Sequence, residues 1–156
     1  MRRSHRPRFP RRLLVARVQE LFARILTFPL PTVAAVNGHA FGAGAMPAIA
    51  HVYRVMREDR GYYCLPEVDI NIPFTLGMAA LIQAELSPQT AVTAMTTGHR
   101  FGGPEALAAG LVDATAAEAE VLTSAVDRLT PLPGKNPGTL AAIKSTMYSA
   151  AAAALR

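Results

Sequence analysis

The longest uncharged stretch of the sequence covers residues 25–53, and within it a short β-prone run leads into a glycine-rich turn. Three prolines and three glycines interrupt this stretch: Pro29, Pro31, Gly38, Gly42, Gly44 and Pro47. A membrane-spanning helix needs about 20 consecutive, mostly apolar residues, so the interruptions exclude such a helix here. The stretch instead predicts a buried strand at residues 32–36, a turn, and a short helix at residues 43–50.

The flanking segments predict alternating strands and helices. Apolar residues at three- and four-residue spacings predict an amphipathic helix over residues 13–27. Further strands are expected at residues 52–56 and 62–64. Helices are then expected at residues 75–84, 88–96, 104–109, 116–129 and 139–155, with starts at Ser87, at Thr115 and at Asn136 with Pro137. Strands and helices alternate in the first part of the chain, and only helices are expected after it. This order predicts an α/β core followed by a helical C-terminal layer.

The basic character of the chain is concentrated in its first twelve residues. They carry six of the 16 basic residues and no acid, although the net charge of the whole chain is +5. Ten basic and 11 acidic residues remain elsewhere. The tail fits a phosphate-rich partner, a transit peptide, or a disordered or mis-assigned start. No interleaving of aromatic and basic residues follows the tail, which disfavours a nucleic-acid-binding protein.

Composition and motifs exclude several other classes of protein. A hydrophobic content of 51% is enough to bury a core, so disorder of the whole chain is excluded. The single cysteine, Cys64, excludes an internal disulfide framework and a multi-cysteine metal cluster. The four histidines lack metal-ligand spacing. The sequence also lacks a dinucleotide fingerprint, a phosphate-binding P-loop and a serine nucleophile elbow.

Two features could carry chemistry. The glycine-rich turn opens a helix, where unpaired backbone N–H groups suit a phosphate or a developing oxyanion; tight packing of a helix on a sheet is the alternative. Glu67 has apolar neighbours, so burial would raise its pKa and fit it for proton transfer. A solvated glutamate at a strand end is the alternative for Glu67.

Three blocks of sequence together resemble the crotonase superfamily, the enoyl-CoA hydratase/isomerase family. They are PTVAAVNGHAFGAG at residues 31–44, LPEVDI at residues 65–70, and TGHRF at residues 97–101 with EALAAGLVD at residues 105–113. The resemblance covers residues 13–156. It implies an α/β fold, with an incomplete crotonase-like ββα spiral core at residues 13–115 and a helical trimerisation region at residues 116–156. Residues 1–12 are expected to form a basic, disordered tail.

The resemblance implies that the substrate is an acyl-CoA thioester and that no metal or other cofactor is used. Members of the family stabilise an enolate with two backbone amides, and the second of these corresponds to Ala43. The catalytic glutamate of the family corresponds to Glu67, and a second, hydratase-type glutamate is replaced by Met46. One carboxylate fits an isomerase that moves a double bond from position 3 to position 2, whereas hydration needs two.

The segment after Glu67 supports the same interpretation. Residues 70–74 lack the Pro-Gly-x-Gly-Gly run of hydratases and resemble monofunctional isomerases. Asp69 stands where some of those isomerases have an acid, but Glu67 is the expected base. By position, substrate-binding roles are expected for Gly42, Gly44, Met46, Phe74 and Leu76, with core packing as an equal alternative for the last three.

The resemblance also implies segments upstream of residue 13 that hold early strands, an adenine-binding loop and the first oxyanion-hole amide. We therefore expect the C-terminal part of an isomerase; an in-frame extension upstream would make Met1 a mis-assigned start. The alternative is an inactive or weakly active remnant, or a hydratase-like protein, that acts only in oligomer assembly. A homo-trimer or hexamer is expected, with no nucleic acid or membrane as partner. The last three residues are not a peroxisomal signal, so a cytoplasmic location is expected.

Overall fold

The computed structural model describes residues 10–156, so the predicted disorder of residues 1–9 lies outside the described residues. For Arg11 and Arg12 the prediction of a disordered tail is wrong, because they form the start of the first helix. Eight helices and five strands form in this part of the chain. The helices are α1 Arg11–Leu26, α2 Met46–Ile49, α3 Leu76–Glu85, α4 Pro88–Thr97, α5 Gly103–Ala108, α6 Val121–Leu129, α7 Pro137–Met147 and α8 Ser149–Leu155. The strands are β1 Val33–Val36, β2 Ala40–Phe41, β3 Tyr53–Arg57, β4 Tyr63–Cys64 and β5 Ala114–Ala116. Among these helices, none is long and apolar enough to cross a bilayer.

Two small parallel sheets organise the strands. The first has the order β1-β3-β5, with Val33 opposite Tyr53 and Val55 opposite Ala114. The second pairs β2 with β4 and sets Phe41 opposite Cys64. Because β2 and β4 are parallel, the residues that follow these two strands emerge at the same end of their sheet.

The main core lies between the sheets and the helices that surround them. Its largest fully buried side chains come from α1, α2, the strands and the later helices: Phe22, Leu26, Met46, Ile49, Met56, Tyr63, Leu65, Leu81, Ile82, Leu111 and Leu155. A smaller cluster joins β3 and β5 to α6 through Val55, Ala116, Val121 and Ala125. The amphipathic pattern of α1 is confirmed in its second half, since Phe22 and Leu26 are buried while Glu20 and Arg24 are exposed. Leu14 and Leu21, which the pattern placed on the apolar face, are exposed.

The predicted helix over residues 116–129 is wrong in its first part. Ala114–Ala116 form β5, which pairs with β3, and a 3-10 turn at Glu118–Glu120 separates β5 from α6. The Ala116 carbonyl accepts a hydrogen bond from the Glu58 N–H at 3.0 Å. Pairing with the free edge of β3 thus overrides the helical preference of alanine. Thr115 lies in β5, so its predicted role as a helix start is also wrong.

The predicted continuous helix over residues 139–155 is divided at Tyr148. This residue has φ −106° and ψ 17°, outside helical geometry, and it separates α7 from α8. The change of direction lets α8 bury Ala151, Ala152 and Leu155, while Lys144 of α7 donates to the Phe28 carbonyl at 3.1 Å. A straight helix could not satisfy both contacts. The predicted caps Ser87 and Asn136 are confirmed, because each side chain accepts from a backbone N–H of the first turn.

We expect Gly77→Ala to destabilise the fold at the crossing of α3 and α8. A Cβ at Gly77 would lie 2.5 Å from the Ala154 carbonyl oxygen and 2.8 Å from the Leu155 Cα, so α8 would have to move. Such overpacking costs about 1–3 kcal/mol of the free energy of unfolding, measured by urea denaturation.

The matched control is Gly138→Ala in α7, where a Cβ would meet only the Asn136 side chain at 3.3 Å. Alanine has the higher helix propensity, so this variant should be neutral or gain up to about 1 kcal/mol. Equal unfolding free energies for the two variants would contradict the close packing of α3 on α8.

Candidate active site

A 3-10 turn after β2 presents a backbone N–H group at the surface. The turn covers Gly42–Gly44 and leads into α2. Gly42 is buried at φ +49°, a left-handed conformation that favours glycine. Its carbonyl accepts from the Ala45 N–H at 2.9 Å, which closes the turn. Ala43 is exposed, and the N–H groups at the start of such a turn have no acceptor within it.

Glu67 lies next to this turn, although 25 residues separate it from Gly42 in sequence. It belongs to a second 3-10 turn, Pro66–Val68, which follows β4. Its Oε1 atom would be 3.2 Å from a Cβ on Gly42, so the carboxylate lies against the glycine backbone. Parallel pairing of β2 with β4 places the two turns side by side.

The carboxyl group of Glu67 is buried and incompletely hydrogen-bonded. The residue is 8% exposed, and its Oε2 atom has no hydrogen-bond partner among residues 10–156. Burial raises the pKa of Glu67, because the charged form loses solvation; a hydrogen bond from its own backbone N–H acts in the opposite direction. A buried carboxylate with a raised pKa and a free oxygen is suited to act as a general base.

Tyr63, in the strand β4 that precedes the second turn, forms a hydrogen bond to the chain directly after the first turn. Nothing in the sequence indicated that this residue lies at the candidate site. Its hydroxyl donates to the Ala45 carbonyl at 2.7 Å, directly after the turn that holds Ala43. Burial raises the pKa of Tyr63, so the hydroxyl remains a donor at neutral pH. The sequence marked residues 62–64 only as a short strand, and no pattern in it indicates this long-range hydrogen bond.

The other predicted site residues differ in their surroundings. Met46 is 1% exposed and lies within the main core, and Phe74 is half-buried and packs against the same core. Leu76 begins α3 and is 86% exposed. Core packing therefore describes Met46 and Phe74 in this chain, and contact of these three residues with an acyl chain stays a prediction. Asp69 is exposed, two residues after Glu67.

A groove of about 430 Å³ lies beside the first turn. Its wall is formed by residues 33–40, which include β1, together with Gly44, Pro47, Ala48 and His51. Gly44 directly follows Ala43, but neither Ala43 nor Glu67 lines this groove.

The described histidines and the cysteine do not gather around Glu67 as metal ligands. Within the described part of the chain, no group of three His, Cys, Asp or Glu residues is placed to hold a metal ion. His39 and His99 are exposed, while burial lowers the pKa of the half-buried His51, with Lys144 and Arg54 lowering it further. The site therefore consists of one carboxylate and one turn amide.

Comparison with known proteins gives a consistent result. A family model for enoyl-CoA hydratase/isomerase matches residues 5–156. Enoyl-CoA delta isomerase 3 of Arabidopsis thaliana is 38% identical over 104 residues, which are 66% of this chain and 44% of the relative. A probable enoyl-CoA hydratase of Bacillus subtilis is 34% identical over 138 residues, 88% of this chain and 53% of the relative.

Solved structures also match the fold. The apo structure of an enoyl-CoA isomerase of Mycobacterium tuberculosis has a TM-score of 0.84 at 27% identity, and the match covers 92% of this chain and 63% of that one. The chain spans about half the length of the curated relatives named above. The predicted α/β fold of crotonase type is confirmed.

Proposed function

Because the chain belongs to the enoyl-CoA hydratase/isomerase family, we propose that it acts on an acyl-CoA thioester and moves a double bond from position 3 to position 2. One observation carries this proposal: the buried carboxylate of Glu67, with a free Oε2, lies against the turn that exposes the Ala43 amide. A base and an N–H donor side by side suit a reaction that passes through an enolate. The reaction would serve fatty-acid metabolism.

The proposed reaction transfers one proton in two steps. The Glu67 carboxylate removes a proton from C2, the C2–H bond breaks, and its electron pair moves into a C1–C2 double bond as negative charge develops on the thioester oxygen. The Ala43 N–H donates a hydrogen bond to that oxygen. Glu67 then returns the proton to C4, which leaves a double bond between C2 and C3 and restores the thioester carbonyl.

The lack of a second carboxylate at Met46 favours isomerisation over hydration. A hydratase must hold and activate water, which in this family is the task of two carboxylates. Met46 is apolar and 1% exposed, so it can neither bind nor deprotonate water. The name of the Arabidopsis relative supports the isomerase, and that of the Bacillus relative supports the hydratase.

The pH dependence of turnover tests the proposal. With 3-hexenoyl-CoA as substrate, we expect kcat/KM to rise with pH as free Glu67 loses its proton. The midpoint should lie above 4.5, the ordinary value, because burial raises the pKa of Glu67. Hydration of 2-hexenoyl-CoA, the control reaction, should be undetectable. Hydration faster than isomerisation would overturn the proposed reaction.

A role limited to oligomer assembly is the second candidate. Apolar side chains on α6 and α7 are exposed in the single chain: Leu122, Val126, Ile143 and Met147. Each pair lies four residues apart on one helix face, and exposed apolar faces of this kind support the predicted assembly into a homo-trimer or hexamer. If the protein assembles but does not isomerise 3-hexenoyl-CoA, this second candidate is the better explanation.

A further inference from the structure

Gly98 contacts the chain on both sides of Glu67. It ends α4 and is buried. Before Glu67, the Cys64 thiol donates a hydrogen bond to the Gly98 carbonyl at 3.3 Å. After Glu67, the Asp69 carboxylate lies against the Gly98 Cα: a Cβ there would clash with Oδ2 and would be 2.8 Å from Cγ. Gly98 thus meets both flanks of the segment that carries the base.

The conformation of Gly98 makes both contacts compatible. Its φ of +65° and ψ of 19° are left-handed, which ends α4 and suits glycine. The absence of a Cβ leaves room for the Asp69 carboxylate, which would otherwise have to move by about 1 Å to reach ordinary contact distance.

Backbone hydrogen bonds hold Asp69 in the same turn as Glu67. The Asp69 N–H donates to the Pro66 carbonyl at 2.9 Å, and this bond closes the 3-10 turn around Glu67. The Ile72 N–H donates to the Glu67 carbonyl at 3.0 Å. The carboxyl group itself has little room on its other side, because it lies against Gly42.

We propose that Gly98 is a positioning residue for the reaction, which fixes the Glu67 turn by seating Asp69 against its bare Cα while its carbonyl holds Cys64. This role rests on the proposed function of Glu67 as the base. Gly98 acts through Glu67 and needs no contact with the substrate. A side chain at position 98 would move the base relative to C2 and C4.

Two alanine substitutions separate positioning from backbone strain. Gly98→Ala adds both a strained left-handed alanine and the contact with Asp69. Gly110→Ala adds the strain alone, since Gly110 has φ +72° and no atom lies within 4 Å of its Cβ position. Gly110→Ala should lower Tm through the strain, and Gly98→Ala should lower it by at least as much. Only Gly98→Ala should lower kcat for 3-hexenoyl-CoA, by about tenfold with KM little changed, because small misplacements of catalytic groups are costly.

A second measurement does not depend on turnover. With ¹³C-labelled glutamate, NMR titration follows the Glu67 carboxyl group in the full chain. We expect its midpoint to shift in Gly98→Ala and to remain unchanged in Gly110→Ala. Removing the Asp69 carboxylate should restore the midpoint of Glu67. The Gly98→Ala/Asp69→Ala double variant should therefore titrate like Asp69→Ala alone.

The outcomes separate this inference from the proposed function. If the unmodified protein does not isomerise 3-hexenoyl-CoA but the titrations behave as expected, the positioning of Glu67 stands and the proposed reaction fails. If Gly98→Ala and Gly110→Ala give the same kcat and the same Glu67 titration, the positioning role is overturned. A double variant that stays shifted relative to Asp69→Ala would also overturn it.

Discussion

Glu67→Gln should lower kcat for the isomerisation of 3-hexenoyl-CoA by about 10²–10⁴-fold, the usual contribution of a general base. Glutamine has nearly the same shape as glutamate, but it cannot remove a proton from C2. KM should change little, because binding of the thioester does not depend on the charge of this side chain. The measurement is the ultraviolet absorbance of the conjugated product under initial-rate conditions.

The control for this variant is Glu120→Gln, which makes the same change at an exposed glutamate in the 3-10 turn before α6. Its kcat should equal that of the unmodified protein. If Glu67→Gln were as active as Glu120→Gln, Glu67 would not be the base, and Asp69 would be the next residue to test.

Stability distinguishes lost chemistry from lost folding in Glu67→Gln. A raised pKa in the folded state means that the folded protein binds the proton more tightly than the unfolded chain does. The stability that Glu67 contributes is therefore present below its unfolded pKa and is lost as pH rises through its folded pKa. At neutral pH the glutamine variant should unfold at an equal or higher Tm. A marked fall in Tm would assign the activity loss to unfolding.

The sequence predicted the elements that a local pattern defines. The spacing of Phe22 and Leu26 was sufficient for α1, and Ser87 and Asn136 correctly marked the starts of α4 and α7. β5 was missed because Ala114–Ala116 has no strand signal of its own, and it forms through hydrogen bonds to β3. The break at Tyr148 was missed because its cause is the packing of α8 on α3, which lies outside any local window.

Burial of Glu67 was one of two alternatives that its apolar neighbours left open, and most of those neighbours do not enclose it. Val68, Ile70 and Ile72 are all exposed. The carboxylate is enclosed because β2 and β4 pair in parallel and set it against Gly42. The sequence therefore indicated a glutamate that the fold does bury, while the pairing that buries it, and the contacts of Gly98 with its flanks, involve residues more than twenty positions apart.

Removing the Ala43 N–H should lower kcat by about 10²–10³-fold, the typical cost of losing one oxyanion-hole donor. A backbone ester, with lactic acid in place of alanine at this position, replaces the N–H by oxygen and leaves the side chain unchanged. The donor matters most while negative charge develops on the thioester oxygen, so kcat should fall more than KM rises. Initial rates with 3-hexenoyl-CoA measure both parameters.

Ala119 offers a control at the same position of a second 3-10 turn. It is exposed and is the second residue of the 3-10 turn Glu118–Glu120, as Ala43 is of Gly42–Gly44. An ester at Ala119 makes the same chemical change away from Glu67 and should leave kcat unaltered. If the two esters gave equal rates, the Ala43 amide would not stabilise the enolate, and its exposure would reflect only the start of a helix. A loss confined to the Ala43 ester, combined with inactive Glu67→Gln, would place donor and base in one reaction.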